Sequence, residues 1–241
     1  MTNPVEVIEG EGAVLITCEH ATQSMPEGWS WPEQDKWLIG THWAYDIGAR
    51  FLTLELAERM GAGAVLSRFS RMIVDPNRPE DSPTLFRETA EGRQVHLNTT
   101  HLTAAERTKR IDGLLRPYHA ALDAAVRRSK AQTLLAMHSF TPIYEGKSRD
   151  FEVGVLCDLD EALAARLNAS LVAGGITAVL NQPYSGKAGL MYSVDRHARQ
   201  HERASLELEI RQDLAVDPRF RSHLIGLVAE FFQNQDRGRQ G

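Results

Sequence analysis

Short apolar runs alternate with longer amphipathic segments along the chain, and this alternation constrains the fold more than any other feature. The run LLAMHSF begins at Leu134, stays apolar through Met137 and then turns polar at His138. Continuous apolar runs indicate strands that are buried on both faces, as in parallel sheets covered by helices on both sides. We therefore expect an α/β fold, a three-layer sandwich around a mostly parallel mixed sheet.

The individual elements are predicted from the spacing of their apolar residues. Strands are expected at AVLITCEH, AVLSRF, RMIVD, QTLLAMHSF, FEVGVLCD, ITAVLNQ and SLELEI. Helices are expected over 44–60, 101–129, 161–175 and 219–235. The second helix opens with a capping-box pattern, Thr103 with Glu106, and Pro117 is expected to kink it.

Length, charge and cysteine content narrow the class of protein. A chain of 241 residues suits a single domain over 1–241. The net charge of −5, without a basic cluster, gives no reason to expect nucleic acid or an anionic membrane as partner. Two cysteines do not make a disulfide framework, and the acidic start MTNPVEVIEGEG is no secretory signal. Because no apolar run approaches the ~18 residues that span a bilayer, a cytoplasmic location is expected.

Polar side chains gather where the predicted strands end, which is where open α/β sheets bind their ligands. The residues at or near these ends are Glu19, His20, His42, Asp46, Asp75, Asn77, Arg78, His138, Ser139, Glu207 and Glu209. Two histidines and one carboxylate, with a fourth position left for water, form a catalytic zinc site. The pattern therefore favours a metal site, although composition alone does not choose among the nine histidines.

Several segments together resemble one enzyme family. AMHSFTPIYEG, SRMIVDPNRPED and LELEIRQDL look like the N-formylglutamate amidohydrolase family, and CEHATQSMP and THWAYDIGARF fit two further segments of it. The resemblance covers roughly residues 12 to 220. The same segments are more distantly similar to zinc carboxypeptidases, which carry a His-Ser-aromatic strand end, an Asp-x-Asn-Arg turn and a Glu-x-Arg strand in this order. Each motif is weak alone, but three in the right order are fairly specific.

The resemblance implies a phosphorylase/hydrolase-like fold and a metal site that holds zinc or another divalent ion. It assigns His20 and His138 as metal ligands. Zinc carboxypeptidases use His-x-x-Glu, whereas Gln23 follows His20 at that spacing, so either a carboxylate comes from elsewhere or the metal site is altered. Asp46 is the predicted third ligand; Gln23, Glu19 and His42 remain alternatives.

The resemblance also assigns the substrate-binding and catalytic groups. Glu209 matches the general base of the family. Asn77 and Arg78 match the pair that holds the substrate carboxylate. Arg71, at the start of the predicted strand RMIVD, is a further candidate that the resemblance does not assign, and it would otherwise be a charge at the strand start. The loop NQPYSGKAGLMYS offers Tyr184 or Tyr192 as a donor to the acyl oxygen.

Each assignment has a structural alternative. Asp46 in the first turn of a helix would be favoured by the helix dipole without any metal. Glu209 would face solvent if its strand lay at the edge of the sheet. Arg78 would pair with Glu80 or Asp81 in a turn. Cys18 precedes Glu19 and His20 but is expected to be a buried core thiol rather than a nucleophile.

The implied reaction is hydrolysis of N-formyl-L-glutamate, or of a related small N-acyl amino acid, to formate and L-glutamate. One alternative is a carboxypeptidase-like hydrolase of peptide or cell-wall amides. Another is a metal-free relative that only binds an amino acid. The sequence leaves the oligomeric state open.

Overall fold

A computed structural model describes the backbone of residues 3–240 and the side chains of residues 3–235. Its centre is a seven-stranded sheet with the order β1-β3-β2-β4-β7-β5-β6. The strands are β1 (Val5–Ile8), β2 (Val14–Cys18), β3 (Gly63–Ser67), β4 (Thr133–Phe140), β5 (Val153–Leu156), β6 (Ala178–Leu180) and β7 (Ala204–Arg211). The neighbours β3, β2, β4 and β7 run parallel, while β1 is antiparallel to β3 and β5 is antiparallel to β7. The expected mixed, mostly parallel sheet is confirmed.

Helices cover both faces of this sheet. They are α1 (Ala49–Met60), α2 (Ala104–Arg110), α3 (Arg116–Arg128), α4 (Glu161–Ala173), α5 (Tyr192–Gln200), α6 (Gln212–Ala215) and α7 (Pro218–Gln240). Two buried clusters divide the strand residues by their alternating direction: Ile16 belongs to one cluster and Leu15 to the other. The first cluster includes residues of α1, α4 and α7, and the second includes residues of α3 and α5. No helix in the described part of the chain is both long enough and apolar enough to cross a bilayer.

The long helix predicted over 101–129 forms as α2 and α3, joined by a π-helical segment, Ile111–Leu115. The wider turn lies just before Pro117, whose missing N–H removes one helical hydrogen bond. At the start of α2, Thr103 Oγ1 accepts from the backbone N–H of Glu106, 3.1 Å away. The Glu106 carboxylate does not complete the capping box but binds Trp29 and Arg110.

Two predictions about local structure were wrong. RMIVD is not a strand: the backbone N–H of Ile73 donates to the carbonyl of Ser70, and the segment forms turns. Its apolar residues are nevertheless buried in the second cluster, so a run of apolar residues did not distinguish a buried turn from a strand. The first helix begins at Ala49 instead of Ala44, which leaves Asp46 in the preceding loop.

Strand β7 is central, since it lies between β4 and β5. Its side chains alternate, with Leu206, Leu208 and Ile210 in the first buried cluster. Glu207 and Glu209 point to the other face and are also buried. Residue Glu209 pairs in register with His138 of β4, so the solvent-exposed edge considered for Glu209 does not exist.

Candidate metal centre

Three side chains from separate elements converge at the carboxyl end of the sheet. His20 follows β2, Asp46 precedes α1, and His138 lies in β4. One potential ligand atom of each lies within 4.8 Å of those of the other two. Oδ2 of Asp46 is 3.2 Å from Nδ1 of His20 and 2.7 Å from Nδ1 of His138. All three residues are buried, so protein atoms rather than water surround their side chains.

The loop that carries Asp46 is fastened to both neighbouring strands. The backbone N–H of Asp46 donates to the carbonyl of His20 at 3.0 Å. The hydroxyl of Ser139 donates to the carbonyl of Ile47 at 2.8 Å. Gly48 then adopts φ 88°, and a Cβ there would lie 2.6 Å from Cβ of Ala215. The turn into α1 therefore needs glycine, and it places Asp46 beside the two imidazoles.

The Nε2 atom of each imidazole is engaged on the side away from Asp46. Nε2 of His20 lies 2.7 Å from Oδ1 of Asp75, and Nε2 of His138 lies 3.2 Å from Oε2 of Glu19. A carboxylate that accepts from Nε2–H keeps the lone pair on Nδ1. Both histidines are therefore set to present Nδ1 toward Asp46.

Arg71 organises the two aspartates. Its guanidinium donates to Oδ1 of Asp46 at 3.3 Å and to Oδ2 of Asp75 at 2.9 Å. Oδ1 of Asp46 is therefore occupied, while Oδ2 remains between the two Nδ1 atoms. Two imidazole nitrogens and one carboxylate oxygen are a donor set that suits zinc and several other divalent ions. The arrangement fits such an ion.

The alternative third ligands are placed less favourably. Glu19 lies behind His138, where its Oε1 accepts from the Tyr118 hydroxyl at 3.0 Å. Gln23 accepts from the backbone N–H of Gly40. His42 lines the same cavity but is not part of the converging group among the described residues.

The protonation states of these groups follow from their contacts. Burial opposes a charged imidazole at His138, but Glu207, Asp46 and Glu19 together raise its pKa well above the ordinary value. Burial likewise opposes a charged Glu19, yet His138 lowers the pKa of Glu19 to about 2. Without a metal, these contacts therefore favour the charged form of the His138 ring.

The pKa values of Glu207 and Glu209 are shifted upward, in the opposite direction to that of Glu19. Burial raises the pKa of Glu207 to about 7. Burial, followed by the charge of Glu207, raises the pKa of Glu209 well above its ordinary value. Oε2 of each carboxyl lacks a hydrogen-bond partner among the described residues. A cation bound nearby would oppose both shifts, because it favours ionised carboxylates.

A cavity of about 250 Å³ opens over this group. The predicted site residues that line it are His20, Asp46, Arg71, Asn77, Arg78, His138, Tyr184 and Glu209. Asn77 has little capacity left for a ligand: its Nδ2 donates to the carbonyl of Leu190, and its Oδ1 accepts from the N–H of Ser193. The asparagine therefore fastens the start of α5 to the turn that carries Arg78.

Tyr184 reaches the cavity through a tightly packed loop. Gly154 of β5 faces this loop, and a Cβ on it would lie 1.9 Å from the carbonyl oxygen of Gln182. Asn181 accepts from the N–H groups of Cys157 and Gly186, which closes the loop from the other side. Tyr192 instead lies outside the cavity lining: its hydroxyl accepts from Arg196, and its ring contacts His119.

The sequence comparison decides the family. A sequence profile of the N-formylglutamate amidohydrolase family matches residues 12–216, which include His20, Asp46, His138 and Glu209. The chain belongs to the N-formylglutamate amidohydrolase family. The N-formylglutamate deformylase of Pseudomonas aeruginosa is 29% identical over 185 residues, which is 68% of each chain. This member of the family is thus an amidohydrolase.

Solved structures agree with this N-formylglutamate amidohydrolase fold. A gene product of Agrobacterium tumefaciens is 29% identical, with a TM-score of 0.87 over 99% of this chain and 96% of that one. The N-formylglutamate amidohydrolase of Ralstonia eutropha is 20% identical, with a TM-score of 0.69 over 98% of this chain and 99% of that one. The second likeness is one of fold alone.

The cavity residues of this family member that received no role from the sequence include Glu207, Trp43 and Arg87. Glu207 shares a strand face with Glu209, so the alternation in SLELEI carried a signal for it. Trp43 and Arg87 come from loops and have no such pattern. Cys18 is fully buried, and burial raises the pKa of its thiol to about 12, as expected for a core cysteine.

Proposed function

We propose that this chain is a single-domain, zinc-dependent hydrolase that converts N-formyl-L-glutamate, or a closely related N-acyl amino acid, to the free amino acid and the acid of the acyl group. The observation that carries the proposal is the convergence of His20, Asp46 and His138 on the floor of a cavity. The same cavity holds the buried carboxyl of Glu209 and the guanidinium of Arg78. The Pseudomonas aeruginosa relative named N-formylglutamate deformylase supports this choice of substrate.

His20, Asp46 and His138 would hold the ion. When bound, a divalent ion at this position lowers the pKa of a water molecule and polarises an amide carbonyl. Asp75 and Glu19 keep the two imidazoles in the tautomer that binds through Nδ1. Arg71 holds Oδ1 of Asp46, so that Oδ2 remains available.

Glu209 is the proposed general base. The residue lies beside His138 in the register of the sheet, and Oε2 of its carboxyl has no hydrogen-bond partner among the described residues. The carboxylate accepts a proton from water while the water oxygen forms a bond to the acyl carbon. As the C–N bond breaks, Glu209 passes this proton to the leaving amine nitrogen. The products are the carboxylic acid of the acyl group and the free amino acid.

Arg78 is the proposed anchor for the substrate α-carboxylate, because a planar guanidinium matches a carboxylate with two parallel hydrogen bonds. Asn77 supports Arg78 indirectly by fixing the turn. Tyr184 lines the cavity and is the proposed donor to the acyl oxygen.

The test uses protein freed of metal with a chelator and reconstituted with zinc. Zinc should restore release of L-glutamate from N-formyl-L-glutamate, and His138→Ala should show no zinc-dependent hydrolysis. Short peptides are assayed in parallel. A higher kcat/KM on peptides, or full activity of His138→Ala, would overturn the proposal.

A further inference from the structure

Three guanidinium groups line the cavity, and they differ in how their charge is compensated. Arg71 is paired with Asp46 and Asp75. The side chains of Arg78 and Arg87 form no hydrogen bond or ion pair with any described residue. Two guanidinium groups without a hydrogen-bonded carboxylate on one cavity create a site that favours an anion with two charges.

Arg87 is held in place by an aromatic face rather than by a carboxylate. Its Cζ lies 5.1 Å from the ring centroid of Trp43. The indole of Trp43 is itself oriented, because its Nε1–H donates to Glu91 at 3.2 Å. Stacking on a ring leaves the N–H groups at the edge of the guanidinium free to donate. Burial and the nearby Arg71 lower the pKa of Arg87, which an anionic ligand would reverse.

Arg78 and Arg87 are held by different parts of the structure. The backbone N–H of Arg78 donates to the carbonyl of Asp75, whose side chain binds His20. Arg78 is thus connected to the metal centre, where the α-carboxylate next to the scissile amide would lie. Arg87 comes nine residues later in the chain, and its guanidinium lies over the ring of Trp43.

We propose that Arg87, stacked on Trp43, binds the side-chain carboxylate of the substrate and so selects N-acylated acidic amino acids over neutral ones. This inference rests on the proposed function, since it assigns the second charge of the same substrate. Arg93 provides a contrast: it also stacks on a tryptophan, with its Cζ 4.2 Å from the Trp37 ring centroid, but it is exposed and outside the cavity lining.

The kinetic experiment compares N-formyl-L-glutamate with N-formyl-L-glutamine, which differs only in the side-chain charge. Arg87→Gln should lower kcat/KM for the glutamate substrate by about 10²-fold, mainly through KM, as expected for loss of a charged hydrogen bond. For the glutamine substrate the change should stay below about threefold. Arg78→Gln should lower kcat/KM for both substrates by the same factor, and the control Arg93→Gln should leave kcat/KM unchanged for both. An equal loss on both substrates for Arg87→Gln, or no loss, overturns the assignment.

A binding experiment separates this assignment from the reaction itself. Calorimetry on the zinc-loaded protein measures the dissociation constants of L-glutamate and L-glutamine. Arg87→Gln should abolish the preference for L-glutamate. Arg87→Lys keeps the charge without the paired N–H groups and should retain part of the preference. If the unaltered protein prefers L-glutamate but hydrolyses no N-formyl substrate, the proposed function fails while the anion site stands. Equal affinity of the unaltered protein for the two amino acids would overturn the assignment of an anion site to Arg87.

Discussion

The phenolic hydroxyl of Tyr118 donates a hydrogen bond of 3.0 Å to Oε1 of Glu19. The other oxygen of the same carboxylate lies 3.2 Å from Nε2 of His138. Helix α3 is thereby connected through two buried contacts to a residue of the candidate metal centre. The orientation of the His138 ring depends on a side chain that does not touch the cavity.

Tyr118→Phe should therefore weaken zinc binding without preventing folding. Loss of a partner behind a metal ligand typically costs 10–100-fold in affinity, and we expect about tenfold for this more distant group. Competition with a chromophoric chelator measures the dissociation constant. Tyr192→Phe is the matched control, because both rings contact His119 and only Tyr118 binds Glu19. Equal zinc affinity of both variants would contradict this connection.

Zinc binding should release a proton near neutral pH. The pKa of His138 is raised well above its ordinary value by Glu207, Asp46 and Glu19 against the effect of burial, so the metal-free ring is protonated at pH 7. The ion can bind Nδ1 only after that proton leaves, and affinity should rise by about tenfold per pH unit below the raised pKa. Calorimetry at pH 7 in two buffers of different ionisation enthalpy counts the released protons. A count of zero would contradict the protonated state.

The metal-free protein should lose stability as the pH rises through neutrality, partly because of Glu207. Burial raises the pKa of Glu207 from the ordinary value of 4.5 to about 7. A raised native pKa stabilises the fold fully below the unfolded value of 4.5, and this stabilisation is lost as the pH rises through about 7. Thermal unfolding at pH 5 and pH 8 should show a larger decrease in Tm for the unaltered chain than for Glu207→Gln. Parallel decreases in the two proteins would speak against a native-state shift at this residue.

Glu209→Gln should separate metal binding from catalysis. The amide cannot accept the proton from water, so kcat should fall by about 10²–10⁴-fold. Zinc content should remain stoichiometric, because Glu209 is not one of the converging ligands. Initial rates with N-formyl-L-glutamate and elemental analysis of the same samples provide the check. Loss of zinc together with activity would show that Glu209 belongs to the metal site instead.

The elements governed by a local repeat could be predicted from the sequence. The apolar run before His138 specified a buried strand, and the alternation in SLELEI specified the faces of β7. RMIVD failed because burial in a turn needs the same apolar residues as burial in a strand. The contact of Tyr118 with Glu19 joins residues 99 positions apart, and no local pattern encodes it. Asp46 could be proposed from its place between the first strand and the first helix, but its approach to the two histidines could not be predicted, because it follows from tertiary hydrogen bonds of its loop.

The close approach of Gly154 to Gln182 has a consequence for altering this enzyme. Gly154 is not among the residues that line the cavity, but it pairs in register with Glu209, which is. Any larger residue at 154 would displace the carbonyl of Gln182, and the loop that carries Tyr184 would move with it. A side chain at position 154 would therefore disturb the cavity from two sides, through the Tyr184 loop and through the strand partner Glu209, although residue 154 itself is outside the lining.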